Sequence, residues 1–167
     1  VRARPDGGDR ERGPCIAALR PPRRPATEAA PVGLRERVQN HAGLIERQWN
    51  VRVTLNLDEA AEQLGAKVTG DIYRLIHEGL VNAARHADAS SIRVHLSVAD
   101  GRVHLSIADD GKGFPFTGTY DLEWLERMDQ GPVTLRERVA ALQGELTLTS
   151  SKQAGTELLI TVPLATA

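Results

Sequence analysis

The chain has 167 residues, enough for one domain with a real core plus some tail. Apolar residues at 41% and charged residues at 26% are ordinary for a soluble globular protein, and the formal net charge of −1 argues against a polyanion binder that works by charge alone. The single cysteine, Cys15, excludes an internal disulfide framework and a cysteine-based zinc site and fits a reducing compartment.

Residues 1–31 hold six of the nine prolines and seven arginines with almost no apolar periodicity, which predicts a flexible or extended arm. The short run Ile16-Ala-Ala-Leu19 reads as the end of an upstream helix stopped by Pro21-Pro22. A nucleic-acid role for the arginines is the weaker alternative: Asp6, Asp9, Glu11 and Glu28 dilute the charge and no aromatics are interleaved for stacking. The chain opens on Val1, and it is expected to be a fragment of something longer, from which a membrane anchor could have been cut away. No stretch in it approaches the ~18 apolar residues that span a bilayer, and no signal-peptide pattern opens it.

From Leu34 the pattern is that of a folded domain, 32–167. Leu34, Val38, Leu44, Ile45 and Trp49 recur at helical spacing, and Val51–Leu57 alternates as a strand does. The helix signal over residues 70–87 is the strongest in the chain. Ile92–Val98 and Arg102–Ala108 alternate around Asp100-Gly101, a hairpin turn signal. Residues 115–130 form an acidic insert with little pattern beyond Leu122, Leu125 and Met128. Leu135–Gln143 reads as a helix ended by Gly144, and Glu145–Thr149 and Glu157–Pro163 as the last two strands. The order predicts a two-layer α/β sandwich, a mixed sheet with helices on one face.

Chemistry concentrates at three places. On the 71–87 helix, Ile72, Leu75, Ile76, Leu80 and Ala83 share a stripe with Gly79, while Glu78, Asn82, Arg85 and His86 share the neighbouring sector. Gly79 costs about 1 kcal/mol there against Ala, which close packing would justify. The polar sector is either a solvated flank or a metal–phosphate site. In the second case the Asn82 carbonyl suits Mg²⁺, Glu78 holds a metal-bound water or acts as base, and Arg85 meets phosphate oxygens. Next, "DDGKGF" (109–114) ends a strand on Asp109, an acceptor suited to the exocyclic amine of adenine, while Gly111 and Gly113 let a flat ring approach the main chain. Taken alone, Asp-Gly is also ordinary turn chemistry. It is not a Walker A loop or a dinucleotide fingerprint. Third, Gly131-Pro-Val-Thr134-Leu-Arg-Glu137 carries a capping box, with Thr134 as cap and Glu137 reaching back, and so an anion site at a helix start to which Arg136 adds charge. Gly155-Thr156 then places a small hydroxyl at the mouth of a strand.

In order, "HEGLVNAARHA" (77–87), "DDGKGF" (109–114), "GPVTLRERVAALQGEL" (131–146) and "GTE" (155–157) resemble the asparagine box and the three glycine boxes of the GHKL ATPase superfamily. More narrowly they resemble the ATP-binding catalytic domain of bacterial two-component sensor histidine kinases. "NAARHA" and "LRERVAALQGEL" are closest to the subfamily whose response regulators carry LuxR-type DNA-binding domains. The resemblance covers about residues 34–165 and implies the Bergerat ATP-binding fold, with ATP and Mg²⁺ as cofactors. It implies that Asp109 binds the adenine amine, that Asn82 coordinates Mg²⁺, and that Glu78 is the catalytic acid assisting phosphoryl transfer. By the same resemblance Arg85 and His86 lie near the phosphates and Gly111 and Gly113 shape the pocket. Gly131 hinges a mobile lid formed by residues 115–130, Thr134 and Leu135 follow in the second glycine box, and Thr156 backs the adenine through a water.

The implied reaction is donation of the γ-phosphate to a histidine on a separate upstream dimerisation domain, and from there to a response regulator, without direct nucleic-acid or membrane contact by this fragment. Its expected location is cytoplasmic, within a parent receptor that can be membrane-anchored. Two departures stand out. Thr134 occupies the second glycine of its box, and none of His41, His77, His86, His95 or His104 has the phosphoacceptor context. The fragment alone is therefore expected to have little turnover. Two rival readings remain: a catalytically poor regulatory scaffold of the same fold, and a chaperone- or topoisomerase-like ATPase of the same superfamily.

Overall fold

The computed structural model describes residues 32–164. The arm expected over residues 1–31, with its Ile16–Leu19 helix end, lies outside the described residues.

Apolar spacing sets the first helix, α1 (Leu34–Trp49), which buries Leu34, Val38, Ala42 and Ile45 on one stripe and ends on Asn50 in the left-handed region at φ 52°. β1 (Arg52–Leu57) follows, then a short 3₁₀ turn over Glu59–Gln63. The long helix α2 runs Ala66–His86, starting a turn before the residues with the strongest pattern; its buried stripe is Ile72, Leu75, Ile76, Gly79, Leu80 and Ala83. β2 (Ser91–Ala99) and β3 (Arg102–Asp109) form the expected hairpin. Asp100 and Gly101, at φ 51° and 68°, supply the two positive angles a tight turn between twisted strands needs.

The six-stranded sheet has the order β1-β2-β3-β6-β5-β4, where β5 is Glu145–Ser151, β6 is Gly155–Pro163 and β4 is Gly118–Asp121. Only β1 and β2 run parallel; the other neighbours are antiparallel. One sheet face buries Ile92, Val94, Leu96, Val103, Leu105 and Ile107 from the central hairpin, continued by Leu146, Leu148, Leu158 and Ile160. Helices α1 and α2, with α4 (Val133–Ala141), cover that face. The fold is the expected α/β sandwich with a mixed sheet and helices on one face.

Two local expectations are corrected. The 115–130 insert is not patternless: β4 adds an edge strand to β5, and α3 (Leu122–Arg127) follows, its first turn capped where Asp121 Oδ1 accepts the Trp124 N–H at 2.8 Å. Phe114, Phe116 and Tyr120 alternate with exposed residues, and with Trp124 they stack into a small cluster, Tyr120 on Trp124 at 3.9 Å between centroids. The capping box is also absent. Pro132 is the N-cap of α4, no side chain caps it, and Thr134 stands exposed inside the first turn. Starting at Val133 rather than after a Thr cap, that helix ends at Ala141, with Gln143 at φ 53° turning the chain before Gly144.

Candidate functional site

Where β3 ends, the sheet, α2 and the turn before β6 leave room between them. The two acids that close β3 separate there. Asp110 turns to β2, its Oδ1 accepting the N–H groups of Ser90 at 2.8 Å and Ser91 at 2.9 Å. Asp109 turns inward, its Oδ1 accepting the Gly111 N–H at 2.9 Å. Burial pushes the Asp109 carboxyl above the ordinary carboxylate range, against the opposing pull of the Gly111 and Thr156 N–H groups, and the Asp110 charge adds to the rise. A half-buried acid with two backbone donors and an open side is equipped to accept from a ligand amine.

The glycines explain how the chain gets this close to itself. A Cβ on Gly155, at φ +95°, would run into the Asp109 carbonyl oxygen, so β6 begins against the end of β3 only because residue 155 has none. Gly113, at φ +71°, lies where a Cβ would stand 2.6 Å from the Ser151 carbonyl oxygen. Gly111 faces the Ala87 carbonyl and lets the loop press on the end of α2, where the Lys112 N–H donates to that same carbonyl at 2.7 Å. That contact is between loop and helix, so the space Gly111 leaves is taken by protein and not by a ring. Gly79 is packed as its position in mid-helix requires: its Cβ would meet the Ile107 side chain.

Together these approaches frame a cleft of about 640 Å³, in the range of small-molecule sites. Of the residues singled out in the sequence, Asn82, His86, Asp109, Gly113, Gly131 and Thr156 line it. Asn82 and His86 line it from α2 and Asp109 from the end of β3; Thr156, buried, pairs with Asp109 across β3 and β6. Glu78, Arg85, Gly111, Thr134 and Leu135 are not in its lining: Glu78 is half-buried one turn before Asn82, Arg85 and Thr134 are exposed, and Leu135 is fully buried in the core.

Arg136 is a further correction. It is 5% exposed and already engaged: its guanidinium donates to the Leu125 carbonyl at 2.8 Å and to Asp129 at 2.9 Å. The charge expected at an anion site is used to hold the preceding segment.

Sequence reasoning missed Lys112 and Lys152, which line the cleft from the loop after β3 and from the turn between β5 and β6. Lys67, Lys112 and Lys152 are the chain's only lysines, so the concentration of two of them beside glycine-rich turns was a readable signal. Phe114 and Pro115 were also missed as lining, although the aromatic follows Gly113 directly.

Comparison with known proteins places this geometry. The HATPase_c family, described as "Histidine kinase-, DNA gyrase B-, and HSP90-like ATPase", matches residues 67–166. The sensor histidine kinase YdfH of Bacillus subtilis is 36% identical over 113 residues, 60% of this chain and 24% of that protein. The histidine-protein kinase/phosphatase DegS of Brevibacillus brevis is 27% identical over 135 residues, 81% of this chain and 33% of that protein. Thus the chain spans about a quarter to a third of these relatives' lengths. Among solved structures, the histidine kinase domain of the Erythrobacter litoralis EL346 blue-light activated kinase superposes with a TM-score of 0.63 at 24% identity, covering 80% of this chain and 62% of that one, a likeness of fold. With more than half its length matched, and with a strand-ending aspartate and an asparagine from α2 lining one cleft, the chain belongs to the HATPase_c family of ATPases.

Proposed function

We propose that this domain is the phosphate-donor half of a two-component sensor histidine kinase, holding Mg-ATP in the cleft and presenting its γ-phosphate to a histidine on a separate dimerisation domain. The observation that carries this is that one cleft is lined by both Asp109, from the end of β3, and Asn82, from α2. Asp109 accepts the adenine amine, with Thr156 behind it, while Phe114, Ile107 and Leu158 supply apolar wall. His86 and the two lysines offer cationic or donor groups to the nucleotide. Among the described residues no three His, Cys, Asp or Glu side chains are grouped to hold a metal. That fits Mg²⁺ carried mainly by phosphate oxygens and water, with the Asn82 carbonyl as its protein ligand. When bound, Mg²⁺ would supply charge neutralisation at the phosphates; the chain's own part is positioning. Glu78, one turn from Asn82, is the acid assisting transfer, and Arg85 and His86 stand on the phosphate side. Gly131 is the hinge of the 115–130 lid. The receiving protein is a response regulator, and its LuxR-type DNA-binding domain is inferred from the wording of 82–87 and 135–146. The parent protein places this domain on the cytoplasmic side.

Calorimetric titration with Mg-ATP tests the reading. We expect binding by the 167-residue chain, and loss of about 10–100-fold in affinity for Asp109→Asn or Asn82→Ala, the scale of a hydrogen bond to a charged group. No heat with ATP or ADP from folded protein overturns it. A second reading, a module that binds nucleotide but transfers poorly, draws support from Glu78 and Arg85 standing outside the cleft lining. Adding the parent protein's helical domain in trans and assaying acid-labile phosphohistidine separates the two.

A further inference from the structure

Arg136 is an unusual choice for its place. A guanidinium at 5% exposure is removed from water, and its Nε is buried with no hydrogen-bond partner. Desolvation on this scale makes a buried ion pair a poor source of stability, and an apolar side chain would fill the same space at less cost. What the arginine supplies is direction. Its Nη1 donates to the carbonyl of Leu125, in the last turn of α3, where a cation meets the negative end of the helix. Nη2 donates to Asp129, held in the left-handed region at φ 49°. The same Leu125 carbonyl also accepts the Gln130 N–H at 2.9 Å. So one side chain on α4 holds both the last turn of α3 and the start of the segment that joins α3 to α4. That segment continues directly into Gly131 and Pro132, which line the cleft.

We propose that Arg136 is a positioning residue: it latches the α3–α4 turn against α4, and the affinity of the cleft for nucleotide depends on that latch. This rests on the nucleotide reading above. Arginine suits the place because its planar fork carries donors on two separate nitrogens, one for the carbonyl and one for the carboxylate, a spread that lysine's compact ammonium does not match. The pairing is asymmetric. Arg136 is sealed in, whereas the Asp129 side chain is 88% exposed, so Asp129 can be changed without opening a cavity.

The test uses the 167-residue chain with Asp129→Asn, Asp129→Glu and Arg136→Lys. Hydrogen exchange is followed by peptide, and Mg-ADP affinity is measured by calorimetry. Asp129→Asn and Arg136→Lys should each speed exchange across residues 118–131 by fivefold or more, leave β2, β3 and β6 unchanged, and weaken Mg-ADP binding threefold or more; Asp129→Glu should stay near the parent chain in both. Unchanged exchange in Asp129→Asn overturns the latch even if Arg136→Lys fails to fold. Faster exchange with unaltered affinity also overturns it, since that is what a merely structural contact would give. A parent chain that binds no Mg-ADP removes the nucleotide reading itself, and exchange then decides the latch by itself.

Discussion

Two regions beside the cleft are built by opposite means. On the sheet side, main chain is pressed on main chain: β6 starts against the Asp109 carbonyl, the 109–113 loop presses on the end of α2, and glycine at 111, 113 and 155 makes these approaches possible. On the other side, from Phe114 to Asp129, side chains do the holding: four aromatic rings, a fully buried Leu125 and one buried arginine. Contacts of the first kind have no slack, because a backbone cannot change rotamer. Contacts of the second kind can be lost one at a time and leave the sheet intact. The comparison teaches which contacts are fixed by backbone against backbone and which rest on single side chains.

The harshest way to break that contrast is Gly155→Ala. The new methyl group would overlap the Asp109 carbonyl while the backbone sits at φ +95°, so strain and overlap act together, for a loss of about 3–5 kcal/mol. Chemical denaturation should show the whole domain weakened, because β3 and β6 are central strands. A variant as stable as the parent chain would mean that the sheet side does have slack. Trp124→Ala probes the opposite side. It removes the stack on Tyr120 and the edge contact with Phe116, each worth roughly 0.5–1.5 kcal/mol beyond burial. The expected outcome is local: faster exchange and proteolysis within 114–130, with β2, β3 and β6 keeping their protection. Global unfolding by this substitution would erase the distinction between the two sides.

The same contrast explains what could be read from sequence. The core stripe of α2 was legible because a 3.6-residue period in Ile72, Leu75, Ile76, Leu80 and Ala83 has one physical cause, burial against a sheet. Gly79 was legible for a related reason: a glycine inside such a stripe implies close approach, here to Ile107. Asp109 stood out because an acid ends a buried strand. The 114–130 side was less legible. Its cluster mixes a period of two over Phe114, Phe116 and Tyr120 with a helical step to Trp124, and each signal is too short to stand against an acidic background. Thr134 and Glu137 fit a capping box by type, but Pro132 already takes the capping position, and the helix starts one residue before the threonine. Arg136 could not be placed from spacing at all, since its partners are set by how α3 folds back.

A smaller effect sharpens the comparison at the ligand itself. Burial raises the Asp109 carboxyl above its ordinary value of 3.8, so between that value and its folded one the native state holds more protons than the unfolded chain does. Its contribution to stability is therefore fully present below the ordinary value and lost as pH rises through the folded one. Removing the charge with Asp109→Asn should make the domain more stable at neutral pH, and the advantage should shrink as pH falls through the raised folded value toward 3.8, below which it changes no further. Nucleotide affinity should run the other way in the parent chain, falling on acidification as the acceptor is protonated, starting above 3.8. Paired melting and binding curves across this range check both slopes. If Asp109→Asn melts lower at neutral pH, the carboxylate is a structural bond acceptor for Gly111 and Thr156 first, and the sheet side of the cleft is built around it. If it melts higher while binding is lost, the rigid wall carries a charge that its own stability opposes, which is what a group kept for a ligand requires.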